Sequence, residues 1–177
     1  AHADHIGRVP KLVRDGFSGV IYSTPATKEL SAVMFGDALN VMRQDKAEQN
    51  CGIIYDEADV SRSLSLWQTH EYHEPFSIGD AQAEFRDAGH ILGSAIVKFT
   101  RNGRTIIFSG DLGNSPEPLL NDTESPEGTN YLVMESVYGD RVHEAVETRR
   151  ERLREILEET RARNGVLLIP SFSLERT

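Results

Sequence analysis

The run "SAIVKFTRNGRTIIFSGD" constrains the fold of this chain more than any other stretch. Apolar and polar residues alternate on both sides of Asn102-Gly103, the two-residue signal of a tight hairpin. Two antiparallel strands are therefore expected. The second ends on "SGDLGN", which sets Asp111 just past the last apolar residues, between Gly110 and Gly113. Loops at strand ends are where a rigid scaffold presents functional groups, and flanking glycines let backbone come close to whatever the aspartate holds. A second Gly-framed spot, "DAGHILGSA", places His90 just before the first strand of the hairpin.

The rest of the chain interleaves helices with strands. "VPKLVRDGF" predicts a short helix with Pro10 near its first turn and Gly16 as its stop. Gly19 to Tyr22 reads as a brief buried strand. Thr24 and Pro25 fit the N-cap and N1 positions of a long helix, on which Leu30, Met34, Ala38, Val41 and Met42 recur at helical spacing. A further helix is expected from Asp56, with Val60, Leu64 and Trp67 on one face. The character changes after Pro75. "YLVMES" reads as a strand, and "HEAVETRRERLREILEETRARNG" as a charged helix with Val146, Leu153, Ile156 and Leu157 inward and Gly165 closing it. Its acids and bases interleave at i, i+4, which marks a solvated face rather than an RNA-binding patch. "VLLIPSF" predicts an apolar strand, and "SLERT" the opening turn of another helix. The pattern is that of an α/β chain.

Charge and composition narrow the function. The chain carries 28 acidic residues against 19 basic ones, a net charge of −9, which disfavours broad polyanion binding. A nucleic-acid substrate held by a local basic strip and by metal ions remains compatible with it. No apolar run reaches the length of a membrane span, so no membrane partner is expected. Cys51 is the one cysteine; no internal disulfide can form, and a reducing, cytoplasmic setting is expected. Cys51 itself reads as a small packed residue. His70 and His73 in "THEYHEPF" precede a strand and lack an acid or cysteine cluster, so packing or surface roles are expected. His143 reads as a residue of a helix-capping region.

The chain opens on "AHADHIGRVP", with His2, Asp4 and His5 close together. Neutral imidazole and carboxylate are the ligands that zinc, manganese and iron favour, and one carboxylate can bridge two metals. On extended backbone His2 and Asp4 would project to the same side, with His5 swinging in as the chain turns toward a helix. Joined by His90 and Asp111, these residues form a candidate set for two adjacent metal ions. Five side chains are too few to saturate two ions, so further ligands are expected from elsewhere.

The motifs "HADH", "AGHILGSA", "FSGDLGN" and "ESVYGDR", in this order, resemble the metallo-β-lactamase-fold nucleases of the β-CASP group. These are RNA-processing enzymes related to the pre-mRNA 3′-end endonuclease. The resemblance covers nearly the whole chain, to "IPSFSLERT". It implies part of a metallo-β-lactamase αβ/βα sandwich, with residues 1–170 as the central part of that domain and 171–177 as the start of the β-CASP insertion. The group's first motif reads H-x-H-x-D-H, and Ala1 would follow its first histidine. By the same resemblance, His2 and His90 would hold one metal and Asp4 and His5 the second, with Asp111 bridging both. Glu135 matches the group's acidic residue that pairs with a later histidine to protonate the leaving group. Asp4 would also orient the attacking hydroxide. Val137 stands where such sequences more often have threonine, a change at no ligand position. Arg141, in the same segment, reads equally as a substrate-phosphate contact or a structural ion pair.

The implied cofactors are two zinc ions, with manganese or iron as alternative occupants. Two such metals about 3.5–4 Å apart share a hydroxide that becomes a nucleophile near neutrality, and they stabilise charge on the phosphoryl oxygens. The resemblance thus implies a hydrolase that cleaves single-stranded RNA, as an endonuclease, a 5′-exonuclease or both, and it allows a homodimer. Two other readings compete: a small-molecule ester or thioester hydrolase on the same fold, and a metal-free scaffold subunit of a nuclease complex. This stretch alone, short of ligands, is expected to bind metal weakly and to be inactive.

Overall fold

The structure is a computed structural model that describes residues 1–49, 52–116, 119–142 and 146–171. Cys51, His143 and the "SLERT" segment lie outside the described residues. The chain forms two compact units, Ala1–Glu135 and Ser136–Thr177.

The first unit opens with α1 (Ala3–Ile6) and α2 (Val9–Arg14). Pro10 lies in the first turn of α2, and Gly16 follows its end at a φ of 110°, which suits glycine alone among common residues. Strand β1 (Ile21–Ser23) leads into α3 (Pro25–Gln49). The Thr24 hydroxyl accepts the Thr27 N–H at 3.3 Å, so the expected N-cap forms. Helix α4 (Glu57–Ser65) starts from a capping box in which Asp56 and Asp59 each accept the other's backbone N–H. Asp59 is buried. Burial pushes its carboxyl up, but the backbone bond and the guanidinium groups of Arg62 and Arg14 outweigh this and hold it below the usual carboxylate range.

Strand β2 (Trp67–Thr69) pairs in parallel with β1, and the Trp67 indole N–H donates to the Ser23 hydroxyl at 2.7 Å. The expectation that Trp67 rides on the helix is corrected here. Leu66 closes α4, and Trp67 points from a strand into the cluster of Ile6 and Phe35, where Val60 and Leu64 of α4 meet it. Among the described residues no helix is long and apolar enough to cross a membrane.

A five-stranded sheet completes the unit, in the order β3 (Phe76–Ile78), β4 (Ala81–Asp87), β5 (Ala95–Arg101), β6 (Arg104–Phe108) and β7 (Tyr131–Val133). The β5–β6 hairpin turns at Asn102 and Gly103, both at positive φ (50° and 72°), as a type I′ turn requires. Strand alternation sends Phe76, Ala83 and Phe85 to one face, with Val97 and Phe99 against them. Ile96 and Ile107 go to the other face, with Ala88. Burying each of the larger apolar side chains contributes roughly 1.5–3 kcal/mol.

The direction of the strands positions the site. β4 and β6 are both antiparallel to β5, and β7 is parallel to β6. The three therefore end at the same end of the sheet, where the His90 loop, Asp111 and Glu135 follow, each part-buried.

In the second unit, α5 (Val146–Ala162) carries ion pairs at i, i+3 and i, i+4, among them Arg152–Glu155 and Arg154–Glu158, in keeping with a solvated face. Two sequence expectations fail in this unit. Leu153 and Leu157 are about half exposed rather than inward. The segment 166–170 is not a strand, and Val166, Leu168 and Ile169 are exposed. An apolar run forms a strand only beside another strand, and none pairs with it among the described residues.

Candidate metal centre

His5 lies in the short helix α1 and His2 is its N-cap residue; the sequence predicts extended backbone at His2 and Asp4. The chain is extended at His2 (φ −102°, ψ 174°) and turns helical at Ala3. This turn brings the rings of His2 and His5 together, with centroids 4.7 Å apart. The same turn takes Asp4 out of line. Its carboxyl is 88% exposed, with its nearest oxygen 3.9 Å from His2 Nδ1.

Both imidazoles meet Asp111. His2 Nε2 lies 2.9 Å and His5 Nε2 3.1 Å from the same oxygen, Oδ2. His90 Nε2 approaches that oxygen to 3.8 Å, with its ring 5.4 Å from the His2 ring. Burial pushes the Asp111 carboxyl up, but hydrogen bonds and charge from His5 and His2 outweigh this and hold it below the usual range. Ligand atoms of His2, His5 and Asp111 all lie within 4.8 Å of one another. Three convergent imidazoles and a carboxylate are a donor set suited to a borderline-soft divalent cation, so the residues present fit one. His2, His5, His90 and Asp111 line a cavity of about 350 Å³ together with Ile21, Tyr22, Phe85 and Val97.

The Asp111 turn is gripped from behind. Gly110 adopts a φ of 56°. The Leu112 N–H donates to Glu135 Oε1 at 2.5 Å, and the Glu135 N–H donates to the Ser109 hydroxyl at 3.1 Å. Glu135 thus holds the backbone that carries Asp111. The Asp111 and His90 loops also touch directly. The Gly113 N–H donates to the Ala88 carbonyl at 2.8 Å, and a Cβ on Gly113 would collide with the Gly89 carbonyl.

The sequence reading missed the supports of His90. The Ser94 hydroxyl accepts the N–H groups of His90 and Ile91 at 3.1 and 3.2 Å. The Thr24 and Thr27 hydroxyls both donate to the Gly93 carbonyl at 2.8 Å. Only Ser94, four residues after His90, carried a local signal. His70 and His73 fall outside the cluster. His70 stacks on Phe76 with centroids 3.9 Å apart, a packing role. His73 pairs with Glu124 at 3.1 Å. Arg141 pairs with its neighbour Asp140 at 2.9 Å and lies over the Tyr138 ring.

The chain is similar in sequence to proteins whose names are known. No protein-family model matches the chain. It is 41% identical over 177 residues to "Ribonuclease TTHA0252" of Thermus thermophilus, a match covering 99% of this chain and 39% of that protein. It is 26% identical to "Endoribonuclease YSH1" of Kluyveromyces lactis and 29% identical to "Cleavage and polyadenylation specificity factor subunit 3" of Dictyostelium discoideum, covering 24% and 22% of those proteins. The chain is thus similar, over 99% of its own length, to proteins named as ribonucleases and to a cleavage and polyadenylation factor subunit. It spans about two fifths of the bacterial relative's length and about a quarter of the eukaryotic ones.

Proposed function

We propose that this chain carries the metal-holding part of a nuclease that hydrolyses phosphodiester bonds of single-stranded RNA. The observation that carries the reading is the convergence of His2, His5 and His90 on the single oxygen Oδ2 of Asp111, at one end of the sheet. The names of the relatives direct it toward RNA. His2, His5, His90 and Asp111 would hold divalent ions, zinc first and manganese or iron as alternatives, with Asp4 as the outer carboxylate. Bound there, such ions supply an activated water near neutrality and positive charge for the phosphoryl oxygens. Asp111 would bring a negative charge among the ions. Glu135 keeps the Asp111 turn in place through Leu112, so the carboxylate need not reorganise as the phosphate approaches.

The test is a substrate panel given to the full-length protein with zinc: end-labelled single-stranded RNA, the matching DNA and a small thioester. Cleavage of RNA in preference to the other two is expected, with the ladder of products distinguishing internal from terminal cutting. Turnover of the thioester alone would move the assignment to small-molecule hydrolysis. No turnover of any substrate, with no metal retained, would favour a scaffold role.

A further inference from the structure

The His90 loop is held from outside the cluster by residues 121–124. Asp87, the last residue of β4, accepts the Gly89 N–H at 2.8 Å through Oδ1 and the Asn121 side-chain N–H at 2.9 Å through Oδ2. Its backbone is bound reciprocally to Glu124. The Asp87 N–H donates to Glu124 Oε1 at 2.9 Å, and the Glu124 N–H donates to the Asp87 carbonyl at 3.1 Å. The Thr123 hydroxyl donates to the Ala88 carbonyl at 3.0 Å, the carbonyl that also receives the Gly113 N–H. Gly89 has a φ of 61°, and a Cβ there would lie 2.8 Å from both the Asn121 carbonyl oxygen and the Thr123 nitrogen. Segment 121–124 therefore packs against the loop without a gap.

Asp87 lies outside the group of His2, His5 and Asp111 whose ligand atoms converge. Its carboxylate instead fixes the Gly89 peptide, one residue before His90. A hydrogen bond from a backbone N–H to a charged carboxylate is stronger than one to a neutral acceptor. The Asn121 amide occupies the second carboxylate oxygen and so sets the plane of the carboxyl group. Groups that orient a ligand in this way affect metal affinity without touching the ion.

We propose that Asp87, oriented by Asn121, is a positioning residue that sets how His90 faces Asp111 and thereby tunes the divalent-metal affinity of the cluster. The proposal rests on the metal-centre reading. Its test uses full-length protein, zinc affinity from competition with a chromophoric chelator, and melting of the metal-free protein. Asp87→Ala removes the acceptor of the Gly89 N–H, while in Asn121→Asp two carboxylates face each other. The double variant, Asp87→Asn with Asn121→Asp, restores one donor and one acceptor with reversed polarity. Each single variant is expected to weaken zinc binding about 10–100-fold, and the double variant to recover most of the loss seen with Asn121→Asp. Wild-type affinity in the single variants would overturn the proposal, as would a double variant that fails to recover. A loss that only tracks the metal-free melting temperature would overturn it too, since it would mark Asp87 as fold support alone. Absence of zinc from the wild-type protein would instead sink the metal-centre reading itself, and the positioning role with it.

Discussion

Replacing Asp111 with alanine is expected to slow RNA cleavage by the full-length protein on the order of 10³-fold or more. Its Oδ2 is the one oxygen that faces His2, His5 and His90 together, so its loss leaves three imidazoles with no negative charge between them. Asp111→Asn keeps the shape and removes the charge, and most of the same loss is expected. The matched control is Asp80→Ala, an exposed acid paired with Arg101 at 2.6 Å and absent from the cluster. It is expected to cleave at the wild-type rate. Initial rates on end-labelled RNA at fixed zinc concentration check this, and a loss below tenfold for Asp111→Ala would contradict it.

The second large effect belongs to a residue with no side chain. Gly113→Ala would drive a Cβ into the Gly89 carbonyl, a backbone atom that cannot rotate away. Overpacking of this kind costs about 1–3 kcal/mol. The two loops that meet there carry Asp111 and His90, so relief of the collision separates the ligands. A misplacement of about 1 Å at a reacting centre is worth about 100-fold in rate, and a loss of that size is expected together with a lower melting temperature. Gly36→Ala is the contrast. It lies within α3 with open space around it, and alanine there is expected to stabilise by about 0.5–1 kcal/mol with cleavage unchanged. Thermal melting and initial rates on the two variants separate the cases. A Gly113→Ala protein as stable and active as wild type would show that the loops do not meet as described.

Much of the architecture was legible because its signals are local. Asn102-Gly103 could only be a tight hairpin, Thr24-Pro25 marked a helix start, and Asp56 began a helix. The candidate ligands were legible for a related reason: Gly110 frames Asp111, and Gly89 precedes His90, at positive φ that glycine permits. Three features were not legible. The helix at Ala3–Ile6 is four residues long, too short for periodicity to reveal, and it turns Asp4 outward against the extended reading. The apolar run at 166–170 has the composition of a strand, but composition does not say whether a partner strand is beside it. The supports of His90 join residues far apart in the chain, Thr27 to Gly93 and Asn121 to Asp87. Bonds of that kind leave no spacing to read in a single sequence.

The metal centre is the claim on which the rest depends, and metal content tests it most directly. Full-length protein would be stripped with a chelator, dialysed against zinc, and analysed for metal per chain, beside His2→Ala, His5→Ala and His90→Ala variants. Tightly held zinc in the wild-type protein, reduced in all three variants, is the expected result. Wild-type protein that retains no zinc, or variants that retain as much as wild type, would contradict the assignment of His2, His5, His90 and Asp111 as the metal-holding cluster.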